Sequence, residues 1–170
     1  EIEKCKICKK DKIGKAVPGE GNPNASIMFL GEAPGRNEAE TGRPFIGRSG
    51  KLLRQTIRDI GLKEEEVFIT SPVKYLPKKG TPSKAEVAHG RVHLFKQIDI
   101  INPKIIVLLG RIAMLAMLGK EPILISKQHG ETLTKDGRLY FLTYHPAAGI
   151  RFPPLGELFK KDFQILKKLV

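Results

Sequence analysis

The chain has 170 residues, 41% of them hydrophobic and 28% charged, which suits one globular domain (1–170) large enough to bury a core. Lys and Arg number 30 against 18 Asp and Glu, a formal net charge of +12 that points to a polyanionic partner or to a lysine-rich solvated surface. No apolar run approaches the roughly 20 residues of a membrane span, the first residues are charged rather than signal-like, and two cysteines make no disulfide framework, so the expectation is a cytoplasmic monomer without a membrane partner.

The opening stretch EIEKCKICKK holds both cysteines, Cys5 and Cys8, in a C-x-x-C pair that reads as half of a four-ligand metal site or as a redox dithiol. Residues 1–24 are polar, basic and punctuated by Gly and Pro, and predict an irregular N-terminal arm. ASIMFLG (25–31) predicts a buried strand, and GKLLRQTIRDIG (50–61) an amphipathic helix stopped by glycine. EEVFIT (65–70) predicts a second strand, and PSKAEVAHGRVHLFKQIDII (82–101) a long helix ending at Asn-Pro. KIIVLLG (104–110) is a third buried strand before a helical stretch at 111–118, RLYFLTY (138–144) a fourth, and LGELFKKDFQILKKL (155–169) an amphipathic closing helix. Strands alternating with helices predict an α/β fold with a four-stranded parallel sheet covered on both faces.

In such folds ligands bind beyond the carboxyl ends of the strands. Three segments fall there: GEAPGRNEAETGRPFIG, SPVKYLP and HPAAGIRFPP. Gly31 and its neighbours let backbone N–H groups approach a ligand, with Glu32 and Glu38 near the same mouth, although the pentapeptide GEAPG alone fits a tight turn with solvated acids equally well. Phe45 suits either stacking on a flat ligand or plugging the core. His145, just past a strand, suits either donation to a developing oxyanion or a structural role.

Together, GEAPGRNEAETGRPFIGRSGKLL, FITSPVKY and TYHPAA resemble the three signature motifs of the family 4 uracil-DNA glycosylases, in the family's order. The resemblance implies a three-layer αβα sandwich and a monofunctional enzyme that flips deoxyuridine out of DNA and hydrolyses its N-glycosidic bond, leaving an abasic site. It implies that Glu32, Glu38 or both orient the water and that Ala33 stands where other superfamily members place a water-activating Asp. Phe45 would stack on the base and His145 would hydrogen-bond uracil O2. Ile150, Arg151 and Phe152 are the wedge candidates. Arg36, Arg43, Arg48, Lys51, Lys74, Lys78, Lys79 and Arg151 cluster around the three loops as candidate phosphate contacts, while Lys160, Lys161, Lys167 and Lys168 suit a solvated face.

The chain departs from the family pattern twice. Ser71 stands where the family carries Asn, and one hydroxyl cannot match uracil N3–H and O4 at once. That opens a wider choice of deaminated bases, or a catalytically weak protein that binds uracil or abasic DNA. The family also holds a 4Fe-4S cluster on four cysteines; Cys5 and Cys8 match the first pair, but Tyr75 and Gly90 occupy the other two positions. His89 and His93, four apart on a predicted helix, share a face beside Gly90. Two thiolates and two imidazoles favour a structural zinc, with a 4Fe-4S cluster on non-cysteine ligands or an empty site as alternatives. His129 is a more remote candidate ligand.

Overall fold

The computed structural model describes residues 1–10, 12–119 and 124–170. In chain order its elements are α1 (Lys6–Lys9), β1 (Lys12–Ile13), β2 (Glu20–Gly21), β3 (Ile27–Leu30), α2 (Arg36–Thr41), α3 (Arg48–Asp59), β4 (Phe68–Thr70), β5 (Leu76–Pro77) and α4 (Lys84–Ile101). There follow β6 (Ile105–Leu109), α5 (Arg111–Leu118), α6 (Ile125–Gln128), β7 (Thr132–Lys135), β8 (Arg138–Thr143), α7 (Pro146–Arg151) and α8 (Pro153–Leu166).

The four predicted strands become β4, β3, β6 and β8, paired in parallel in that spatial order. Their apolar runs reflect burial on both faces. Met28 and Leu30 point with Ile106 and Leu108 into a core capped by α4 and α5, while Ile27 and Phe29 point with Ile105 and Val107 into one capped by α3 and α8. A strand's two-residue period thus builds both outer layers of an αβα sandwich.

Two antiparallel edge strands extend this parallel core. β2 pairs with β4, and β7 with β8, closing a six-stranded sheet. Neither is foreseen from the sequence: β2 has two residues, and β7 (TLTK) is largely exposed and lacks an apolar run. The N-terminal arm is correspondingly less irregular than expected, since β1 also pairs with β5. Four short helices, α1, α2, α6 and α7, are likewise new. Their local cue in α7 is Pro146 at the first helical position with His145 as N-cap, an arrangement suited to a helix start.

α4 begins as its sequence predicts. Ser83 accepts from the Glu86 N–H at 3.2 Å, and the Glu86 carboxylate accepts from the Ser83 N–H at 2.6 Å. This capping box satisfies two N-terminal donors. Asn102 (φ 49°) ends the helix in the left-handed region before Pro103.

Candidate active site and metal centre

Phe45 sits in a turn clamped from two directions. Its backbone adopts φ 52°, an uncommon conformation for a residue with a side chain. On one side Arg54 donates to the Pro44 and Phe45 carbonyls, both at 2.9 Å. On the other, Glu38 accepts from the Ile46 and Gly47 N–H groups, both at 2.8 Å, and from Gly35 N–H at 3.1 Å. Glu38 is buried, and both of its carboxylate oxygens are thus engaged by backbone donors. Two glycines make room. A Cβ at Gly31 would lie 2.4 Å from the tip of the Phe45 ring, and one at Gly50 would lie 2.0 Å from the Phe45 carbonyl carbon. Arg54 braces this turn, and its one cue in the sequence is an arginine beside the core residue Leu53 in an amphipathic helix.

The clamped turn brings Phe45 against His145. Their ring centroids stand 5.9 Å apart, tilted 35°. His145 Nδ1 accepts from the Ala147 N–H at 3.1 Å. A neutral ring bonded this way carries its proton on Nε2. Burial pulls the His145 pKa down to about 4, so the ring is neutral at physiological pH and presents an Nε2–H donor. Glu32, at the end of β3, is partly buried, and burial raises its carboxyl above the ordinary value while Arg111 partly offsets that rise. Ala33 follows it, also partly exposed. Ser71, at the end of β4, is buried and donates its hydroxyl proton to the Val73 carbonyl at 2.9 Å. Its remaining capacity is that of an acceptor.

Among the basic candidates, Lys74 is a correction. It is 1% exposed and points inward, donating to Thr70 Oγ1 at 2.7 Å, Gln97 Oε1 at 2.5 Å and the Pro18 carbonyl at 3.2 Å. Three acceptors on three segments match the ammonium's three donors, so Lys74 ties the arm to β4 and α4 instead of facing DNA. Arg36, Arg48, Lys78, Lys79 and Arg151 are exposed. Arg43 is exposed too, but forms a two-pronged pair with Glu20 at 2.6 and 2.8 Å that holds the Glu20 carboxyl below its usual range. Ile150 and Phe152 are 38% and 50% exposed, and the Arg151 guanidinium lies 5.2 Å over the Phe152 ring.

The chain folds Cys5 and Cys8 back onto α4. Cys5 Sγ lies 3.2 Å from His89 Nε2, and one donor atom from each of Cys5, Cys8, His89 and His93 lies within 4.8 Å of every other. Tetrahedral coordination by two sulfurs at ~2.3 Å and two nitrogens at ~2.0 Å requires donors this close. Two chemical signs agree and a third sets a cost. His93 Nε2 is buried with no hydrogen-bond partner among the described residues. The Cys8 backbone N–H, the largest influence on the Cys5 thiol, brings its pKa down to about 6. Burial pushes Cys8 up to about 12, a penalty on its thiolate that a cation would offset. The four residues are compatible with a metal site. They do not fit a cluster on four thiolates: Tyr75 is buried against Cys8 and Ala16, and a Cβ at Gly90 would lie 2.2 Å from the Pro72 carbonyl oxygen. His129 is not part of the group; it bonds Asp162. The group borders a cleft of ≈ 830 Å³ whose rim includes Lys78 and Lys79.

Residues 18–167 match the Uracil DNA glycosylase superfamily. The chain is 42% identical to the type-4 uracil-DNA glycosylase of Sulfurisphaera tokodaii, an alignment covering 99% of this chain and 81% of that protein. It is also 42% identical to the type-4 enzyme of Saccharolobus solfataricus, over 99% of this chain and 82% of the relative. With the type-4 enzyme of Archaeoglobus fulgidus the identity is 37%, over 99% and 89%. Fold, motif order and near full-length similarity agree, and the chain belongs to the type-4 branch of the uracil DNA glycosylase superfamily.

Proposed function

We propose that this protein is a uracil-DNA glycosylase of base excision repair: it flips a deoxyuridine from DNA and hydrolyses the N-glycosidic bond, leaving an abasic site. The observation that carries the reading is the facing pair of Phe45 and a neutral His145 with its proton on Nε2. Phe45 stacks on the flipped base, and His145 donates to uracil O2 as negative charge develops on the departing base. Donors fixed before charge develops are worth most in a site that excludes water. Glu32 orients the water that attacks the oxocarbenium-like sugar, its burial keeping it a stronger base than an exposed carboxylate. Glu38 is a positioning residue, since its oxygens hold the Phe45 turn. Arg36, Arg48, Lys78, Lys79 and Arg151 contact phosphates, and Ile150 with Phe152 forms the wedge that fills the space left by the flipped nucleotide.

The metal centre is structural. Cys5, Cys8, His89 and His93 would hold one zinc, which pins the arm to α4 beside the loops that meet DNA. Bound zinc supplies a rigid, redox-inert crosslink. Elemental analysis tests it: one zinc per chain in colourless protein supports the reading, and iron with absorption near ~400 nm overturns it.

Base choice is wider than in a site with Asn at position 71. The Ser71 proton is committed to the Val73 carbonyl, so Ser71 meets a base only as an acceptor and leaves O4 unread. The experiment is release of free base from oligonucleotides carrying uracil, hypoxanthine, xanthine or thymine, single-stranded and paired. Uracil release at least ~100-fold above a His145→Ala control supports the proposal. No release above that control for any base leaves a DNA-binding protein that cleaves poorly.

A further inference from the structure

Behind the His145 loop lies a buried polar network that the proposed chemistry does not use. Asp162 of α8 is 1% exposed. Its Oδ2 accepts from the Thr143 hydroxyl at 2.7 Å, and its Oδ1 lies 2.8 Å from His129 Nδ1. A carboxylate accepts, so the His129 nitrogen facing it carries a proton. The His129 ring packs on Tyr144, with centroids 4.9 Å apart and a 40° tilt. The Gly130 N–H donates to the Leu142 carbonyl at 2.7 Å, which places His129 beyond the carboxyl end of β8. Thr143 is the last residue of β8, Tyr144 follows, and His145 comes next. One carboxylate therefore ties together α8, the turn after α6 and the last strand residue before the proposed donor.

We infer that Asp162 and His129 form a positioning pair for His145, fixing the strand end and the Tyr144 ring so that the imidazole is held at the angle the departing base requires. A network whose sole use is stability has no need to gather on the two residues preceding His145. A buried carboxylate is costly unless fully bonded, and here the bonds are spent on Thr143 and on the histidine that packs against Tyr144. Neither Asp162 nor His129 is assigned contact with the base; they act through residues 143–145. The inference rests on His145 being the donor proposed above.

The test is single-turnover uracil release at saturating enzyme, with DNA affinity measured separately, at a temperature well below the unfolding midpoint of every variant. His129→Leu leaves Asp162 without its imidazole donor and is expected to slow release roughly tenfold or more, because small displacements of a reacting group are costly. Its DNA affinity should stay within about twofold, since no phosphate contact is removed. His129→Gln, whose amide restores an N–H donor, is expected to recover most of the lost rate. Should His129→Leu fail to fold, Thr143→Val removes the other bond to the same carboxylate and is expected to slow release with affinity unchanged. The inference is overturned if a folded His129→Leu or Thr143→Val protein releases uracil at the wild-type rate, or if His129→Gln is as slow as His129→Leu. A wild-type protein that releases no uracil would instead defeat the proposed function itself.

Discussion

At the scale of single residues, orientation decides more than identity. Ser71 and Lys74 lie three apart in one motif and both are buried, yet the Ser71 hydroxyl stays local on the Val73 carbonyl while Lys74 turns inward to three separate segments. The inward turn was not legible in the sequence, because it depends on acceptors from Pro18, Thr70 and Gln97, which no local pattern brings together. Phe45 and His145 were legible through the motifs around them, whereas the proton position on His145 follows from a bond to Ala147 that only the folded loop reveals. Ser71→Asn should restore a group that both donates and accepts. Its ratio of uracil to hypoxanthine release is expected to rise about tenfold or more, read from paired time courses on the two oligonucleotides.

At the scale of elements, the long apolar strands and α4 announce themselves by composition and capping, and their boundaries hold to within a few residues. The elements that escape are short or exposed: β1, β2, β5 and β7 with α1, α2, α6 and α7 lack the periodicity that marks a buried face. The Phe45 turn belongs to this class, and its stability comes from side chains reaching in from α2 and α3. Arg54 carries four partners there: the Pro44 and Phe45 carbonyls, Glu20 and Glu64. Arg54→Met should lower unfolding free energy by about 2–4 kcal/mol, because it strips a charged donor from two carbonyls and two carboxylates. It should also weaken uracil release. Urea unfolding followed by the cleavage assay checks both.

At the scale of the molecule, the N-terminal arm is joined to the body by β1–β5 pairing, the Lys74 bonds and the Cys/His group. The C-x-x-C pair was legible as half a site, and His89 and His93 as its partners through the family positions of Tyr75 and Gly90; their closeness to the cysteines depends on the folding of the intervening chain. With the proposed zinc bound by this group, chelation should lower the thermal midpoint and expose residues near Cys5 and Cys8 to protease, while Cys8→Ser should do the same without chelator; limited proteolysis checks it. The pH response is also distributed. Burial pulls Lys74 from 10.5 down to about 7, so between those values the unfolded chain binds more protons and stability from this group rises with pH. The wild type is therefore expected to gain urea resistance relative to Lys74→Met as pH climbs from 7 to 10. His145 has the same sign lower down: its contribution is complete above 6.5 and is lost as pH falls toward about 4. The same depressed pKa sets the most direct test of the chemistry, the pH profile of single-turnover uracil release by the wild-type protein. A neutral Nε2–H donor predicts a rate that shows no fall as pH rises through 6.5. A rate that falls as pH rises through 6.5, and loses that fall in His145→Ala, would mean a cationic histidine and contradict the account.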